Sequence, residues 1–239
     1  MTSSPGSPIS EIIDGCHVLT SEDVGDPVWG HVSRRDDEGR GVWIKGGPRG
    51  LDEVSDADVM LIDFDGGRLS GTLDAPPHEY PLHSEVLRAR GDAASVVHVH
   101  PPHAIALAAT GRPLHAFSNG AGPFASGIPR FEREAGLVDT AELGVELARC
   151  LGPARAVFLV GHGIVTVGPS VAVAVVTALL LERACRLELL ALSAGGIAPA
   201  LEEPGRRYAH TESDYYMLRS WEHLLRRVRR APGCDQARR

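Results

Sequence analysis

Val96-Val97-His98-Val99-His100-Pro101-Pro102-His103 alternates valine with histidine, the period of a β-strand, in which side chains two apart leave the same face. His98 and His100 therefore converge on one point, at a spacing suited to two ligands of a metal ion. Imidazole is the commonest metal-binding side chain, and a catalytic metal takes at least one further protein ligand from elsewhere. Taken alone, the pair could equally be two solvated histidines on a wet strand face. The sequence to either side has to decide.

Going outward, Glu79 to Arg90 is helical in pattern, with Leu82, Val86 and Leu87 on one face and Pro81 tolerated in the first turn. After the histidine strand comes a short alanine-rich helix running to Thr110 and stopped by Gly111. Thr140 to Leu151 is a helix capped by Thr140 and ended by Gly152-Pro153. Ala156 to Val160 and Ile164 to Val167 are buried strands separated by Gly161-His162-Gly163, and a long helix from Ser170 to about Ala194 packs behind them. Tyr215 to Arg230 forms the last helix. The first third is mainly antiparallel: a helix from Glu11 to Leu19 with Ser10 as its cap, strands Trp29 to Ser33 and Val42 to Lys45, then a hairpin around Asp65-Gly66-Gly67. These elements make one α/β domain over residues 11–230, a central and mostly antiparallel sheet with helices on its faces. Residues 1–10 read as a disordered lead-in and 231–239 as a flexible tail.

Composition excludes several functions. With 239 residues and 43% hydrophobic content the chain builds one sizeable core. A net charge of -7 without a dense basic patch argues against nucleic acid as a partner, and Arg226 to Arg230 reads as the solvated face of the last helix. The longest apolar run, Val171 to Leu181, is too short for a bilayer, which needs roughly 20 residues, so no membrane partner is expected. Cys16, Cys150, Cys185 and Cys234 form no CxxC pair, which fits a reducing cytoplasm rather than a disulfide or thiolate-zinc framework. Lys45 is the only lysine among 24 basic residues, which leaves Schiff-base chemistry a single side chain.

His162, between glycines at a strand junction, stands where the backbone bends sharply and presents one side chain; the alternative is a structural histidine in a tight turn. Three neutral imidazoles, His98, His100 and His162, would leave open coordination positions, as a catalytic metal requires, with zinc, manganese and ferrous iron all possible. Glu79, at the start of the helix preceding the histidine strand, can project toward the strand's C-terminal end and serve as proton donor or acceptor. An acidic residue at that place is also what the helix dipole favours.

Asp63 to Gly67, Pro76 to Arg90, Val96 to Pro102 and Val160 to Gly168 together resemble the class II aldolase/adducin family, in matching order over roughly Glu11 to Leu192. The resemblance implies a three-layer αβα domain, commonly a homotetramer with active sites between subunits. It implies one divalent metal ion per chain (Mn, Zn or Fe) on His98, His100 and His162, with Glu79 as catalytic acid/base. The phosphate-holding motifs of the sugar-phosphate members are replaced here by Gly30-His31-Val32-Ser33, by Lys45-Gly46-Gly47-Pro48-Arg49-Gly50 and by Pro77-His78. That pattern is more similar to the branch acting on hydroxylated aromatic or heteroaromatic acids, where decarboxylases are found.

The expected activity is thus metal-dependent decarboxylation of a small carboxylate substrate, with Glu79 protonating the carbanion from a carboxyl whose pKa is raised by a partly dry site. His31, Ser33, Lys45 and Arg49 are candidate substrate contacts, and His78 and His103 minor ones. Aldol cleavage, iron-dependent oxygen chemistry and a non-catalytic adducin-like module are the alternatives. The segment Tyr208 to Tyr216 could close a neighbouring subunit's site or could be a helix-capping loop.

Overall fold

The computed structural model describes residues 6–25, 27–132, 136–196 and 213–230. Local chemistry sets the helix ends. Thr140 and Ser170 accept from the amides of Leu143 and Val173, starting α4 (Ala141–Leu151) and α5 (Val171–Ser193), and Gly152 ends α4 at a positive φ. The first helix, α1 (Pro8–Ser21), starts earlier than expected. Ser7 rather than Ser10 is its cap, because Pro8 fits the first turn, where an amide would go unbonded. The expected lead-in 1–10 therefore already contains helix at Pro8–Ser10; residues 1–5 and 231–239 lie outside the described residues. The other helices are α2 (Tyr80–Ala89), α3 (Pro102–Ala109) and α6 (Asp214–Arg230).

Eight strands form one sheet, β1 (His31–Arg35), β2 (Val42–Lys45), β3 (Val59–Ile62), β4 (Arg68–Ser70), β5 (Ser95–Val99), β6 (Arg130–Phe131), β7 (Ala156–Leu159) and β8 (Gly163–Gly168), in the order β4-β3-β2-β1-β5-β8-β7-β6. Every pairing is antiparallel except β6 with β7. The β3–β4 turn closes as the Asp-Gly-Gly signal predicts: Asp63 accepts the amides of Asp65 and Gly67 while Gly66 takes a positive φ. The two-residue β6 was not expected.

Strand alternation splits the core into two layers. Val32, Val59, Val97, Val99 and Ile164 pack under α1, α3, α5 and α6, whereas Ile44, Met60, Val96, Val165 and Val167 pack under α2 and α4. The αβα expectation holds, with the metal-ligand candidates at the end of the sheet where β5 finishes and β8 begins. The apolar helix α5 is covered by the sheet and by its helix neighbours; no helix among the described residues is long and apolar enough to cross a membrane. Two arginines of the basic α6 are not simply solvated: Arg227 pairs with Glu22, and Arg229 with Asp14 at 2.9 Å, tying α6 to α1 and its C-terminal cap.

Candidate metal centre

His98 lies in β5 opposite His31 of β1 and Val165 of β8, on the α2/α4 face. His100 follows the end of β5, and His162 occupies the β7–β8 turn, which Gly161 closes at φ +76° and the His162 amide ties to the Leu159 carbonyl at 3.0 Å. Gly163 lets β8 start against β5: a Cβ there would stand 2.5 Å from the Val99 carbonyl oxygen and 2.8 Å from the His100 ring. The three imidazoles crowd together, with centroids 4.6 Å (His98–His100), 4.9 Å (His98–His162) and 4.8 Å (His100–His162) apart. Glu79, at the N-cap of α2, makes no cap hydrogen bond with its side chain, which turns instead to this cluster. One ligand atom from each of Glu79, His98, His100 and His162 lies within 4.8 Å of the others.

These residues fit a divalent ion. His98 Nδ1 stands 2.9 Å from the Ile164 carbonyl oxygen, which can only accept, so the ring proton is on Nδ1. Nε2 then carries a lone pair, is fully buried without a hydrogen-bond partner, and faces Glu79 Oε2 at 3.3 Å. Two lone pairs set face to face in a dry site call for a cation between them, a proton or a metal ion. A carboxylate and three imidazoles are a donor set for zinc, manganese or iron.

Glu79 is buried, and burial by itself raises its pKa. Against that work His98, when a proton and not a metal ion lies between its Nε2 and Oε2, the Val138 amide donating to Oε1 at 3.0 Å, and His162, whose Nε2 is 3.9 Å from Oε1. The balance lowers the carboxyl to about 2. The expectation of a raised pKa is therefore wrong for this state, and Glu79 is ionised at neutral pH.

The candidate substrate contacts divide. His31 is buried beside the cluster, its ring stacked on His98 with centroids 6.2 Å apart and meeting His83 edge-on at 5.8 Å. Burial, then His83 and His98, push its pKa well down, so it is a neutral imidazole. Ser33 is turned inward and fully buried, its hydroxyl 2.8 Å from His83 Nδ1 and 3.4 Å from the Val96 carbonyl. Lys45 lies on the opposite face of the sheet, 0% exposed, donating to the carbonyls of Val28 at 3.1 Å and Gly47 at 3.5 Å. Arg49 is exposed on the loop after β2, and no described contact joins it to the cluster; His78 is exposed as well. Ser33 and Lys45 thus cannot meet a substrate as placed, because strand pairing directs Ser33 under α2 and Lys45 toward α1. His103 is held by Glu182 of α5, whose carboxylate also takes the His103 and Ala104 amides at the start of α3. Of the C-terminal segment, Tyr208 to Glu212 lie outside the described residues, while Tyr215 and Tyr216 are exposed on α6.

Beside His162 opens a cleft of about 310 Å³, walled by Phe131, Leu137, Val138, Leu159 and Val160. Its lining is apolar apart from the histidine. Two participants had no direct signal, the Val138 amide and the Ile164 carbonyl, because they are backbone groups. His83 could have been found, since it adjoins Leu82 on the buried face of α2.

The family model for the class II aldolase and adducin N-terminal domain matches residues 10–189. A 3,4-dihydroxyphthalate decarboxylase from Terrabacter sp. (strain DBF63) is 41% identical over 195 residues, 77% of this chain and 81% of the relative. A second protein of that name, from Arthrobacter keyseri, is 34% identical over 226 residues, 89% of this chain and 90% of the relative. Among solved structures, an L-fuculose 1-phosphate aldolase from Glaciozyma antarctica PI12 has the same fold, with a TM-score of 0.80 at 20% identity over 95% of this chain and 93% of that one. With residues 10–189 matched, well over half of its length, this chain belongs to the class II aldolase/adducin family.

Proposed function

We propose that this lyase is a divalent-metal-dependent decarboxylase of a hydroxy-aromatic carboxylic acid, with dihydroxyphthalate-type acids the first class to test. The observation that carries the reading is the buried, unpartnered Nε2 of His98 facing an ionised Glu79 beside an apolar cleft. The similarity to two 3,4-dihydroxyphthalate decarboxylases supports the substrate class.

His98, His100 and His162 would hold the metal, with Glu79 against it. A bound divalent ion supplies Lewis acidity, stabilising negative charge on the substrate oxygens it polarises. Glu79, being ionised, first accepts the proton of a substrate hydroxyl at a carboxylate oxygen. The bond from ring to carboxylate then breaks, its electron pair stays on the ring carbon, and carbon dioxide leaves. The same proton passes from Glu79 to that carbon. The proton count closes without an outside acid, and the ionised carboxylate is the form that accepts the first proton. Phe131, Leu137, Val138 and Leu159 seat the ring and keep water from the carbanion.

We further propose a homotetramer with active sites between subunits, working in the cytoplasm. The family resemblance supports the first; the second is supported by Cys16, Cys150 and Cys185, all free thiols. Light scattering on the purified protein measures the assembly.

The test is a panel of hydroxybenzoates and hydroxyphthalates incubated with metal-loaded protein. Carbon dioxide formed one for one with substrate lost is expected. An aldehyde product without carbon dioxide would move the assignment to aldol cleavage, and undiminished release by metal-free protein would overturn the metal's part.

A further inference from the structure

Lys45 is the only lysine in the chain and is 0% exposed. Burying an ammonium is expensive, and an apolar side chain of similar length would fill the same space without that cost. What the ammonium holds is backbone: the Val28 carbonyl, three residues before β1, and the Gly47 carbonyl in the turn after β2. Both lie at the end of the sheet that carries the histidine cluster, although the Lys45 side chain itself occupies the α1 face with Val32 and Val59.

We propose that Lys45 is a positioning residue: its ammonium ties the segment before β1 to the turn after β2, and so sets where His31, beside the metal centre, enters β1. The chain between Val28 and His31 has little room. A Cβ on Gly30 would come within 3.0 Å of Leu51 and 3.1 Å of Val99. His31 then enters β1 directly opposite His98. Trp29, one residue past the anchored carbonyl, is 66% exposed. On the other side Gly47 turns at φ +70° and the Gly46 amide bonds the Asp58 carbonyl at 2.9 Å, so the second carbonyl held by Lys45 belongs to a turn already anchored to the start of β3. The ammonium therefore fastens the segment before β1 to a turn anchored at the start of β3.

The consequence for turnover rests on the decarboxylase reading; the fastening itself does not, and is tested separately. Protein grown with 15N-lysine gives one side-chain Nζ signal, since there is one lysine. Its protons are expected to exchange slowly with water, and its position to be unmoved by phthalate, used as an aromatic carboxylate probe. In Lys45→Met, amide exchange over residues 28–31 should quicken about tenfold, the factor that accompanies loss of one charge-assisted hydrogen bond. Exchange in β5 and the metal content should stay as in the wild type. With an accepted substrate, KM should rise and kcat change little. Fast-exchanging Nζ protons or a direct shift with phthalate would overturn the proposal even if Lys45→Met fails to fold, as would an unchanged exchange pattern in a folded Lys45→Met. Absence of any carbon dioxide release would count against the decarboxylase reading alone.

Discussion

Replacing Glu79 by glutamine removes one charge and one proton-carrying site while leaving the shape of the side chain. The amide oxygen can still accept from Val138 N, now 3.0 Å from Oε1, and the amide nitrogen falls where Oε2 faces His98 Nε2 at 3.3 Å. The fold and the three imidazoles are therefore preserved, and what is lost is the proton's path from substrate hydroxyl to ring carbon. A positioned acid/base contributes about 10²- to 10⁴-fold, or about 3–5 kcal/mol of barrier. The carbon dioxide release rate of Glu79→Gln should fall by that factor at equal metal content, measured by elemental analysis of the same sample. A glutamine variant that keeps its metal and more than about a tenth of the wild-type rate would refute the role given to Glu79, because the rate then lies outside the range for losing an acid/base.

The same carboxylate makes metal-free protein acid-sensitive. Its pKa is lowered from 4.5 to about 2 in the folded state, which corresponds to about 3 kcal/mol of stability, present above pH 4.5 and lost as pH falls toward 2. Urea titrations should show the stability gap between wild type and Glu79→Gln closing over that window; a gap independent of pH would contradict the assignment. Gly163→Ala places a methyl 2.5 Å from the Val99 carbonyl and should cost about 1–3 kcal/mol and loosen metal binding, seen by thermal unfolding with and without added metal. Ser33→Ala leaves His83 Nδ1 buried without its 2.8 Å partner and should cost about 1–3 kcal/mol with KM and metal content unchanged. A large rise in KM would restore Ser33 as a substrate contact.

Much of the fold was legible because its signals are local. Thr140, Ser170 and Gly152 mark helix ends through their own side chain or backbone freedom, and the structure uses all three as caps. Ser7 and Ser10 could each have capped α1, and only the preference of proline for the first turn separates them. β6 is two residues long, too short for any period, and exists because β7 offers it an edge. The four residues of the cluster were legible as well, His98 and His100 from one strand motif, Glu79 and His162 each from its own. The directions of Ser33 and Lys45 were not. Alternation says that they point to one side of their strands, but which side meets α2 depends on pairing and packing that no single strand encodes. The low pKa of Glu79 had the same origin, since the amide of Val138 that helps to set it comes from 59 residues away.

The central claim is that carbon dioxide release needs a metal held by His98, His100 and His162. One preparation, analysed for bound metals, stripped with a chelator, assayed on a dihydroxyphthalate and reloaded with manganese, zinc or ferrous iron, tests it most directly. About one divalent ion per chain, release lost on stripping and regained on reloading, and neither binding nor release in His98→Ala is the result the account predicts. Full release by the stripped protein, or by His98→Ala, would contradict it.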